Sequence, residues 1–540
     1  MKEYEKILED IRPFGPFQIR VFLLVSMFET PLAWAMLLPM FTSAKPEELC
    51  IVHENNNTTG SKQDECWDKG ANGSSCHFSN SFTSIVTEWG LHCSSNRDVP
   101  NHITSMQMAG VLVGAVVTGQ LADLFGRKKV LYAEYLLLLI TWFGSAFAPT
   151  WQVYATMRVL VGALTGGCLV VNFVLPLEFV TPSWRTFCGC IGLWAVGLIT
   201  LAGWAYVLRD WRHLTMATAA AGVPMLFTWW FVAESPRWLI SRGRLGKAKK
   251  ILRAAAKTNN RPVPDFTELE RVVEETQHKK QEQKKYFYWH LFSSCRLVRG
   301  TFILMYAWFV SSAVYYGMNF NVANLAGDRY LNALVSGLVE IPALILVVCV
   351  NNRWGRRKTV ACLMLVAGLF SFSILIIDMT DNMEKQNVLV VVFAMIGKFG
   401  ISGGWAATQV FSAETFPTVI RNIGIGACSM AARVGGIAAP QLVLLGKDSK
   451  AVPFTVFGVL AIVCALLMVF LPETTHTPLS DLLKYDTSVY LTEQSVDVPL
   501  TPTQTSVESE ETQPSEDLQP LAGTERETCA GESGVGKIVT

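Results

Sequence analysis

The sequence predicts an all-α membrane protein built from two related halves. Of its 540 residues, 51% are apolar and only 16% are charged, and the mean hydropathy is +0.31. A soluble protein of this size would carry charge on about a quarter of its residues. Apolar segments long enough to cross a bilayer recur along the chain, and a basic glycine turn stands at matching places in its first and second halves.

Twelve apolar segments reach the length of about 20 residues that a membrane-spanning helix needs. The first is preceded by charged residues and is too long for the apolar core of a signal peptide, so we expect it to remain in the protein. Helices 4, 5 and 11 are rich in Gly and Ala, which weakens their hydropathy signal. The predicted helices lie at about 20–41, 103–122, 130–148, 153–176, 187–208, 213–233, 300–320, 331–351, 359–378, 388–410, 422–445 and 452–471.

Polar segments divide the predicted helices into two groups of six. The segment after the last helix is rich in Thr, Ser, Glu and Pro and has too few apolar residues to bury a core, which predicts disorder. The predicted units are a cytosolic N-terminus at 1–19, an N-terminal bundle at 20–233 with an extracellular loop at 42–101, a cytosolic loop at 234–299, a C-terminal bundle at 300–471 and a cytosolic tail at 472–540.

The basic residues predict which side of the membrane each loop faces. The N-terminus, the turns at 127–129 and 353–358 and the start of the 234–299 loop are basic, and even numbers of spans separate them. The positive-inside rule places them in the cytosol, together with both termini. The loop at 42–101 is then extracellular, in keeping with its excess of acidic over basic residues.

The extracellular loop also carries sequence features of exported segments. Three Asn-X-Ser/Thr sequons predict glycosylation at Asn56, Asn57 and Asn72. The loop holds four cysteines, which permit two disulfides in three possible pairings; they are Cys50, Cys66, Cys76 and Cys93. The other nine cysteines lie in helices, the inner loop or the tail, and we expect them to be free thiols.

The turn between the second and third helices reads GQLADLFGRKK over 119–129. Gly119 and Gly126 permit close helix packing and a tight reversal, and Asp123 can cap a helix or pair with a nearby cation. A second copy, NRWGRRK over 352–358, lies between helices 8 and 9, with Asn352 at the acidic position. The glycines, the aspartate and the basic pair at these spacings resemble the signature of the major facilitator superfamily.

Further segments resemble the organic cation, anion and carnitine transporters of solute carrier family 22. The resemblance covers nearly the whole chain apart from the tail. It implies the major facilitator fold, with twelve transmembrane helices in two six-helix bundles around a central cavity, and transport of small organic ions across the plasma membrane by alternating access. The segments include SIVTEWGLHC at 84–93, RVLVG at 158–162, EFVTPSWR at 178–185, ESPRWL at 234–239, YYGMN at 315–319, VEIP at 339–342 and AETFPTVIR at 413–421.

Ionisable residues within predicted spans are costly and are functional candidates by default. Arg433 lies in the middle of helix 11, and the resemblance implies an arginine here in anion and zwitterion carriers and an aspartate in cation carriers. Lys398 in helix 10 matches a basic position that anion and zwitterion carriers share. A guanidinium binds a carboxylate through two hydrogen bonds, so we expect Arg433 to anchor a substrate carboxylate. The alternative is a permanent pair between Arg433 and Glu29.

Glu29 in helix 1 and Arg158 in helix 4 leave alternatives open. Glu29 either holds a substrate ammonium group or a coupling cation, or serves as the internal counter-charge of Arg433 or Lys398. The resemblance implies that an arginine at the place of Arg158 is structural or takes part in proton coupling, and we favour the structural role.

Aromatic residues are a second group of candidate substrate contacts. Trp308, Ser312, Tyr315 and Asn319 recur at spacings of three or four in helix 7, which places them on one helix face. Such a face can stack on flat organic ions or attract a quaternary ammonium group by cation–π contact. The alternative for each aromatic is ordinary packing in the membrane. We expect Tyr315, Trp308 and Asn319 to contact substrate.

A group of charged residues is predicted to line the cytosolic mouth. Charge pairs that close one mouth and break when it opens suit alternating access, in which two halves rock around a central site. The alternative is a set of solvated loop charges that only fix the topology. The predicted gating residues are Asp123, Arg127, Glu178, Arg185, Glu234, Arg237, Glu414 and Arg421.

The predicted function is a plasma-membrane carrier of organic anions or of zwitterions such as carnitine or betaine. The alternatives are an organic cation carrier that recognises its substrate through Glu29, and a non-transporting receptor or scaffold of the same fold. No phosphate-binding glycine loop, metal-ligand spacing or nucleophile–base arrangement is present, so we predict neither an enzyme, a cofactor nor a metal. The expected partners are the bilayer, a small organic ion and a coupling ion, either sodium or a proton, but not nucleic acid.

Overall fold

A computed structural model of the chain describes its helices and their connections. The described residues are 2–45, 48–51, 75–78, 82–91, 96–190, 192–278, 291–292, 294–322, 325–351, 353–380, 387–417, 420–447, 449 and 451–474. Several predicted features lie outside these ranges: the three sequons at Asn56, Asn57 and Asn72, the cysteines Cys66 and Cys93, Asn352 of the second turn, and the tail beyond residue 474.

The predicted all-α membrane fold is confirmed. Within the described ranges, ten helical segments are long and apolar enough to cross a bilayer. They are Pro16–Thr42, Val99–Phe125 (α6), Trp151–Leu177 (α8), Ser183–Val207, Leu297–Asn321, Arg329–Val350 (α16), Arg356–Met379 (α17), Asn387–Thr415 (α18), Ile423–Leu444 and Ala451–Met468 (α20). Of these ten segments, the fourth covers α9 (Pro182–Cys190) from its second residue and α10 (Trp194–Val207), the fifth belongs to α15 (Cys295–Asn321), and the ninth belongs to α19 (Arg421–Leu444).

The two remaining predicted spans are helical but less apolar or less regular. The third is α7 (Arg127–Ser145), which opens on three basic residues and carries Glu134 in its interior. The sixth divides into α11 (Trp211–Ala221) and a 3₁₀ helix, Val223–Trp230, because Pro224 at the start of the second segment lacks the N–H that would continue the α-helix.

The first span is also divided, into α2 (Pro16–Ser26), α3 (Glu29–Leu37) and α4 (Pro39–Thr42). The short helix α5 (Ile85–Glu88) precedes the second span, and α1 (Lys2–Ile11) precedes the first. After the sixth span come α12 (Pro236–Ser241), α13 (Leu245–Thr258) and α14 (Thr267–His278). These three helices occupy the inner loop that was predicted from its charge.

Two short strands lie in the loop at 42–101. β1 (Glu48–Ile51) pairs antiparallel with β2 (Ser75–Phe78), and the register places Cys50 opposite Cys76. Opposite residues on antiparallel strands have Cα atoms about 4.5–5.5 Å apart, within the range that a disulfide needs. Disulfide formation in this loop stays a prediction. The expectation of free thiols elsewhere is wrong for Cys295, which is disulfide-bonded.

Close backbone contact holds each half together. In the first half α6 packs along α8, and a Cβ on Gly114 would lie 1.8 Å from the carbonyl oxygen of Ala163. In the second half α15 packs along α19, where a Cβ on Gly435 would lie 2.3 Å from the carbonyl oxygen of Phe309. Small residues allow this approach, which is how helices associate in lipid without a hydrophobic driving force. The halves meet where α10 contacts α16 and α6 contacts α19.

Candidate functional site

A buried cluster of Tyr315, Glu340 and Lys398 joins three helices of the second half. The Lys398 Nζ lies 2.8 Å from Glu340 Oε1, and both side chains are almost completely buried. The Tyr315 hydroxyl donates to the same carboxylate oxygen at 2.8 Å, and Lys398 Nζ also lies 3.4 Å from the centre of the Tyr315 ring. The positive charge of Lys398 is therefore neutralised by a carboxylate of the protein itself.

A tryptophan of the first half reaches this cluster. The Trp194 Nε1 donates to the Tyr315 hydroxyl at 2.7 Å, so a chain of polar contacts runs from α10 through α15 to α16 and α18. A cavity of about 10 Å³ beside Lys398 is lined by Met318 and Ser336 among others, and a cavity of this volume holds about one water molecule. The cluster thus connects the two halves near the middle of the membrane.

Aromatic rings surround the cluster on one side. The ring centroid of Trp405 lies 5.5 Å from that of Tyr315 and 6.1 Å from that of Tyr316. Phe320 stacks on Tyr316 with centroids 6.2 Å apart. Tyr315 was predicted from the sequence, whereas the other rings, Tyr316, Phe320 and Trp405, were not. They lie on α15 and α18, whose packing against each other brings them together.

Arg433 lies on α19, which packs along α15, the helix that carries Tyr316. Its side chain is partly buried, and its Nε atom is buried without a hydrogen-bond partner among the described residues. Its charge and that of Glu340 both act on the Tyr316 hydroxyl. No ion pair joins Arg433 to a carboxylate of the described residues, so its positive charge is not neutralised as that of Lys398 is.

Glu29 does not pair with Arg433 or with Lys398. It begins α3, and its carboxylate lies against the backbone at Gly192, two residues before α10 begins. The contact is close, since a Cβ on Gly192 would lie 2.0 Å from Glu29 Oε2. A carboxylate at a helix N-terminus interacts favourably with the helix dipole. Glu29 thus lies at the start of α10 without an ion pair among the described residues, and its role as substrate ligand, cation ligand or counter-charge stays a prediction.

The other predicted site residues contact protein groups. The Trp308 Nε1 donates to Ser412 Oγ at 2.8 Å. Asn319 is fully buried and accepts from Ser336 Oγ at 3.4 Å, while its Nδ2 has no partner in the described part of the chain. A role in substrate binding therefore stays a prediction for both residues.

Arg158 has neutral partners. Its Nη2 lies 2.6 Å from Gln107 Oε1 and 2.8 Å from the Ala35 carbonyl oxygen. Gln107 also donates to the carbonyls of Ala35 and Met36. These bonds tie the first, second and fourth spans together, which favours the structural role.

One end of the molecule, here named the basic face, carries the turns at Gly126 and Gly355. Arg127 Nη1 lies 2.6 Å from Asp123 Oδ1, and Arg127 Nε lies 3.4 Å from Glu178 Oε1. Burial raises the pKa of the Glu178 carboxyl, against the opposite effects of a hydrogen bond from Ser235 and the charge of Arg127. Asp123 is mostly exposed, and its backbone carbonyl accepts from Trp238 and Arg242.

The two turns of the basic face are capped in the same way. Glu234 Oε1 accepts from the Lys128 N–H at 3.0 Å, and Glu473 Oε1 accepts from the Arg356 N–H at 2.7 Å. Glu473 was not predicted as a site residue. Its position in the sequence could have identified it, because Glu473 follows the twelfth span as Glu234 follows the sixth.

The remaining predicted gating residues also pair within one half. Arg185 Nη2 lies 3.1 Å from Glu5 Oε1, and Arg356 Nη2 lies 3.1 Å from Glu414 Oε1. Arg421 Nε donates to the Phe416 carbonyl at 3.4 Å. Arg237 exerts its charge on Glu178. The structure therefore gathers these residues into two clusters, one for each half, and their gating role stays a prediction.

Contacts between the halves are found at the opposite end, here named the loop face. Ser105 Oγ donates to the Ile437 carbonyl at 3.0 Å, and Gln441 Nε2 donates to Ser105 Oγ at 2.9 Å. Phe41 stacks on Tyr330 with ring centroids 5.9 Å apart. These contacts join the two halves at the loop face.

Comparison with known proteins gives consistent matches. A family model described as sugar (and other) transporter matches residues 66–483. An organic cation transporter protein of Drosophila melanogaster is 34% identical, with 89% of this chain and 94% of that protein covered. The organic cation/carnitine transporter 2 of Homo sapiens is 31% identical, with 89% and 93% covered. The partially occluded inward-open xylose transporter XylE from E. coli matches with a TM-score of 0.61 at 16% identity, over 86% of this chain and 100% of that chain.

Proposed function

We propose that this chain, which belongs to the major facilitator superfamily and within it to solute carrier family 22, carries small zwitterions or anions that contain a carboxylate. It is a multi-pass membrane transporter of that family and not an enzyme. The favoured substrates are carnitine-like or betaine-like compounds. We further propose that it acts in the plasma membrane with the basic face in the cytosol, as the positive-inside rule indicates.

The observation that carries the proposal is the unneutralised charge of Arg433. Lys398 is paired with Glu340 at 2.8 Å, so it has little free positive charge to offer a substrate. Arg433 has no such partner among the described residues, and its Nε is buried without a hydrogen bond. A charge away from water is costly unless it is paired, and a substrate carboxylate would supply both the opposite charge and the missing acceptor.

The aromatic group that includes Tyr316 suits the other end of a zwitterion. Tyr316, Phe320 and Trp405 form a contiguous aromatic group. A quaternary ammonium group gains cation–π energy over such rings without needing a hydrogen-bond acceptor. A carboxylate held by Arg433 and an ammonium group held by the rings would place a short zwitterion across α15, α18 and α19.

A second candidate is an organic cation substrate recognised by Glu29. Glu29 is partly buried as a residue and has no cationic partner among the described residues. Release of Glu29 from the start of α10 would free it for an ammonium group. The relatives whose printed names mention organic cations make this candidate worth testing directly.

The test is uptake in cells that express the protein. Radiolabelled carnitine, a dicarboxylate and tetraethylammonium are compared with and without sodium, for the native chain, Arg433→Asp and Glu29→Gln. Loss of a charge-assisted bidentate contact costs about 2–3 kcal/mol, so Arg433→Asp should lower carnitine uptake about 30-fold to 150-fold at subsaturating substrate.

The matched control is Arg353→Asp, which makes the same change at an exposed position of the basic face and should leave uptake unchanged. Surface biotinylation corrects for expression. Tetraethylammonium uptake that resists Arg433→Asp and disappears in Glu29→Gln would overturn the proposal in favour of the cation carrier.

A further inference from the structure

The helix α13 carries an unbroken run of positive charge. The segment 236–264 contains nine Lys or Arg residues and no Asp or Glu. Four of them, Lys247, Lys250, Arg253 and Lys257, are exposed and recur at spacings of three and four, so they form one stripe along the helix. These four residues are named the basic stripe.

The basic stripe lies on the side of α13 opposite its buried residues. The buried side of α13 consists of Ala248, Leu252, Ala255 and Ala256, and it packs against α1, α2 and α12. Helical geometry of about 100° per residue places the stripe on the opposite side. The neighbouring helix α14 pairs with the flank of α13 through Glu270 and Lys249. Of the stripe residues, Arg253 lies 5.7 Å from the centre of the Phe266 ring just before α14, and its side chain is still exposed.

Both ends of α13 are fixed to transmembrane helices at the basic face. Beyond its C-terminal end, the Asn259 Oδ1 accepts from the Phe17 N–H at 2.9 Å, and its Nδ2 donates to the Ile11 carbonyl at 3.0 Å. Before its N-terminal end, Arg242 Nη2 donates to the Asp123 carbonyl at 2.6 Å. The stripe is thus a positioned surface that lies across the basic face of the first half.

The chain supplies an oppositely charged segment at the same face. Residues 475–540 contain twelve acidic and three basic residues, a net charge of −9. Five of the acidic residues lie within ten positions, from Glu508 to Asp517. The described chain ends at Thr474, whose hydroxyl donates to Glu414 at 2.8 Å on the basic face. Residues 475–540 therefore begin at the face on which the basic stripe lies.

We infer that the acidic segment 508–517 docks on the basic stripe of α13. The 33 residues between Thr474 and Glu508 can extend to about 110 Å at most, several times the length of about 21 Å of α13, so chain length permits the segment to reach the stripe. Tethering on the same chain gives it a high effective concentration, which offsets the weakness of each exposed ion pair. An anionic membrane surface is the less suitable partner, because the stripe points away from the transmembrane helices.

The test uses the purified full chain in discs of neutral phosphatidylcholine and a protease specific for glutamate. Cleavage at Glu508, Glu510 and Glu511 should be about fivefold slower at low salt than at about 0.5 M NaCl, where exposed ion pairs are screened. Neutralising the stripe with Lys247→Gln, Lys250→Gln, Arg253→Gln and Lys257→Gln should abolish this protection. Gln preserves helix propensity and adds no cleavage site.

A matched variant neutralises four other exposed basic residues of the basic face, Arg12, Lys129, Arg353 and Lys358, and should keep the protection. Zero-length carbodiimide cross-linking of the native chain should join Lys247, Lys250 or Lys257 to the segment 508–517. Normal size-exclusion behaviour and uptake by both variants exclude misfolding as the cause.

Equal cleavage of native and stripe-neutralised chains would overturn the inference, as would cross-links from the segment to other lysines alone. Cleavage that depends on the stripe only in discs that contain phosphatidylserine would overturn it in favour of a lipid surface. None of these outcomes depends on the substrate, so the inference and the proposed function fail separately.

Discussion

The two halves of the molecule agree at the basic face and differ in the middle of the membrane. Gly126 and Gly355 have φ angles of +113° and +101°. A Cβ on either would lie 2.6 Å from the carboxylate oxygen of Glu234 or of Glu473. The repeated element is therefore more than a sequence motif, since each turn combines a glycine in the same backbone conformation with a glutamate from the end of its own half.

In the middle of the membrane the halves use charge differently. The second half places Lys398 against Glu340 and leaves Arg433 without a carboxylate among the described residues. In the first half, Arg158 bonds to the neutral Gln107 and to a backbone carbonyl, and Glu134 accepts from Thr118. The contrast shows that the repeat preserves the turns, whereas the buried Lys398–Glu340 ion pair and the proposed carboxylate anchor Arg433 both lie in the second half.

The largest expected effect is a difference in stability loss between substitutions of two buried carboxylates, Glu340 and Glu134. Glu340→Gln leaves Lys398 buried without a counter-charge, which should lower the free energy of unfolding by about 3–5 kcal/mol. Glu134→Gln removes no cationic partner and keeps an acceptor for Thr118, so its loss should be below about 1 kcal/mol. Thermal unfolding of the purified variants in detergent measures both.

The double variant Glu340→Gln with Lys398→Met is the control for the Glu340 prediction. It removes both charges and should recover most of the lost stability, because no buried charge is left unpaired. Similar losses for Glu134→Gln and Glu340→Gln would show that the charge pair is not what distinguishes the two halves.

The next effect tests whether the two turns are equivalent. The backbone of Gly126 has φ 113° and ψ 148°, and that of Gly355 has φ 101° and ψ 153°, a region that is close to glycine-only. Gly126→Ala and Gly355→Ala should each cost about 1–3 kcal/mol of unfolding free energy. Gly119→Ala should be neutral or slightly stabilising, since Gly119 is helical with open space around its Cβ position. A large loss at only one of the two turns would break the proposed equivalence.

A smaller effect is expected from changes to the two glutamates that cap the turns. Glu234→Gln and Glu473→Gln keep an acceptor oxygen but lose the negative charge. A negative charge at a helix N-terminus stabilises the helix by about 0.3–1 kcal/mol. If the cap holds the turn during transport, each variant should lower the maximal uptake rate about twofold to fivefold with little change in KM. The assay is saturation uptake normalised to surface protein. A change in KM at constant maximal rate would place these residues in substrate binding instead.

The sequence predicted the helices and the repeat well, because both depend on local patterns. Apolar length located all twelve helical segments, although Pro224 divides the sixth and the charges of α7 lower its hydropathy. The prediction was weaker for which charged side chains contact each other. Lys398 was identified, but its partner Glu340 was not weighed, although it is an isolated acidic residue within the apolar helix α16. Which charge meets which is decided by helix packing and not by spacing along the chain.

Glu29 is a second residue whose contacts could not be predicted from the sequence around it. The sequence revealed a carboxylate in an apolar span and left its role open between substrate, coupling cation and counter-charge. The structure adds a contact that was not considered, between the Glu29 carboxylate and the backbone at Gly192 just before α10. That contact depends on a break in the first span and on the start of another helix more than 160 residues further along the chain, so no local pattern announces it.

The smallest expected effect is at Asp123, the acidic residue of the first turn. Its side chain is 66% exposed, whereas Glu178, the other carboxylate partner of Arg127, is only 12% exposed. Exposed ion pairs contribute about 0–1 kcal/mol, and the hydrogen bonds from Trp238 and Arg242 go to the backbone of Asp123. Asp123→Asn keeps that backbone, so it should lower the maximal uptake rate less than twofold.

Glu178→Gln is the matched change on the buried side of Arg127, and it should have the larger effect. The second turn would then tolerate an asparagine at the matching position, Asn352, for the same reason: the exposed acid adds little to what the glycine and the capping glutamate already provide. A greater loss of transport from Asp123→Asn than from Glu178→Gln would mean that Asp123 gains a partner in another conformation of the transport cycle. In that case the two turns would differ in function despite their common structure.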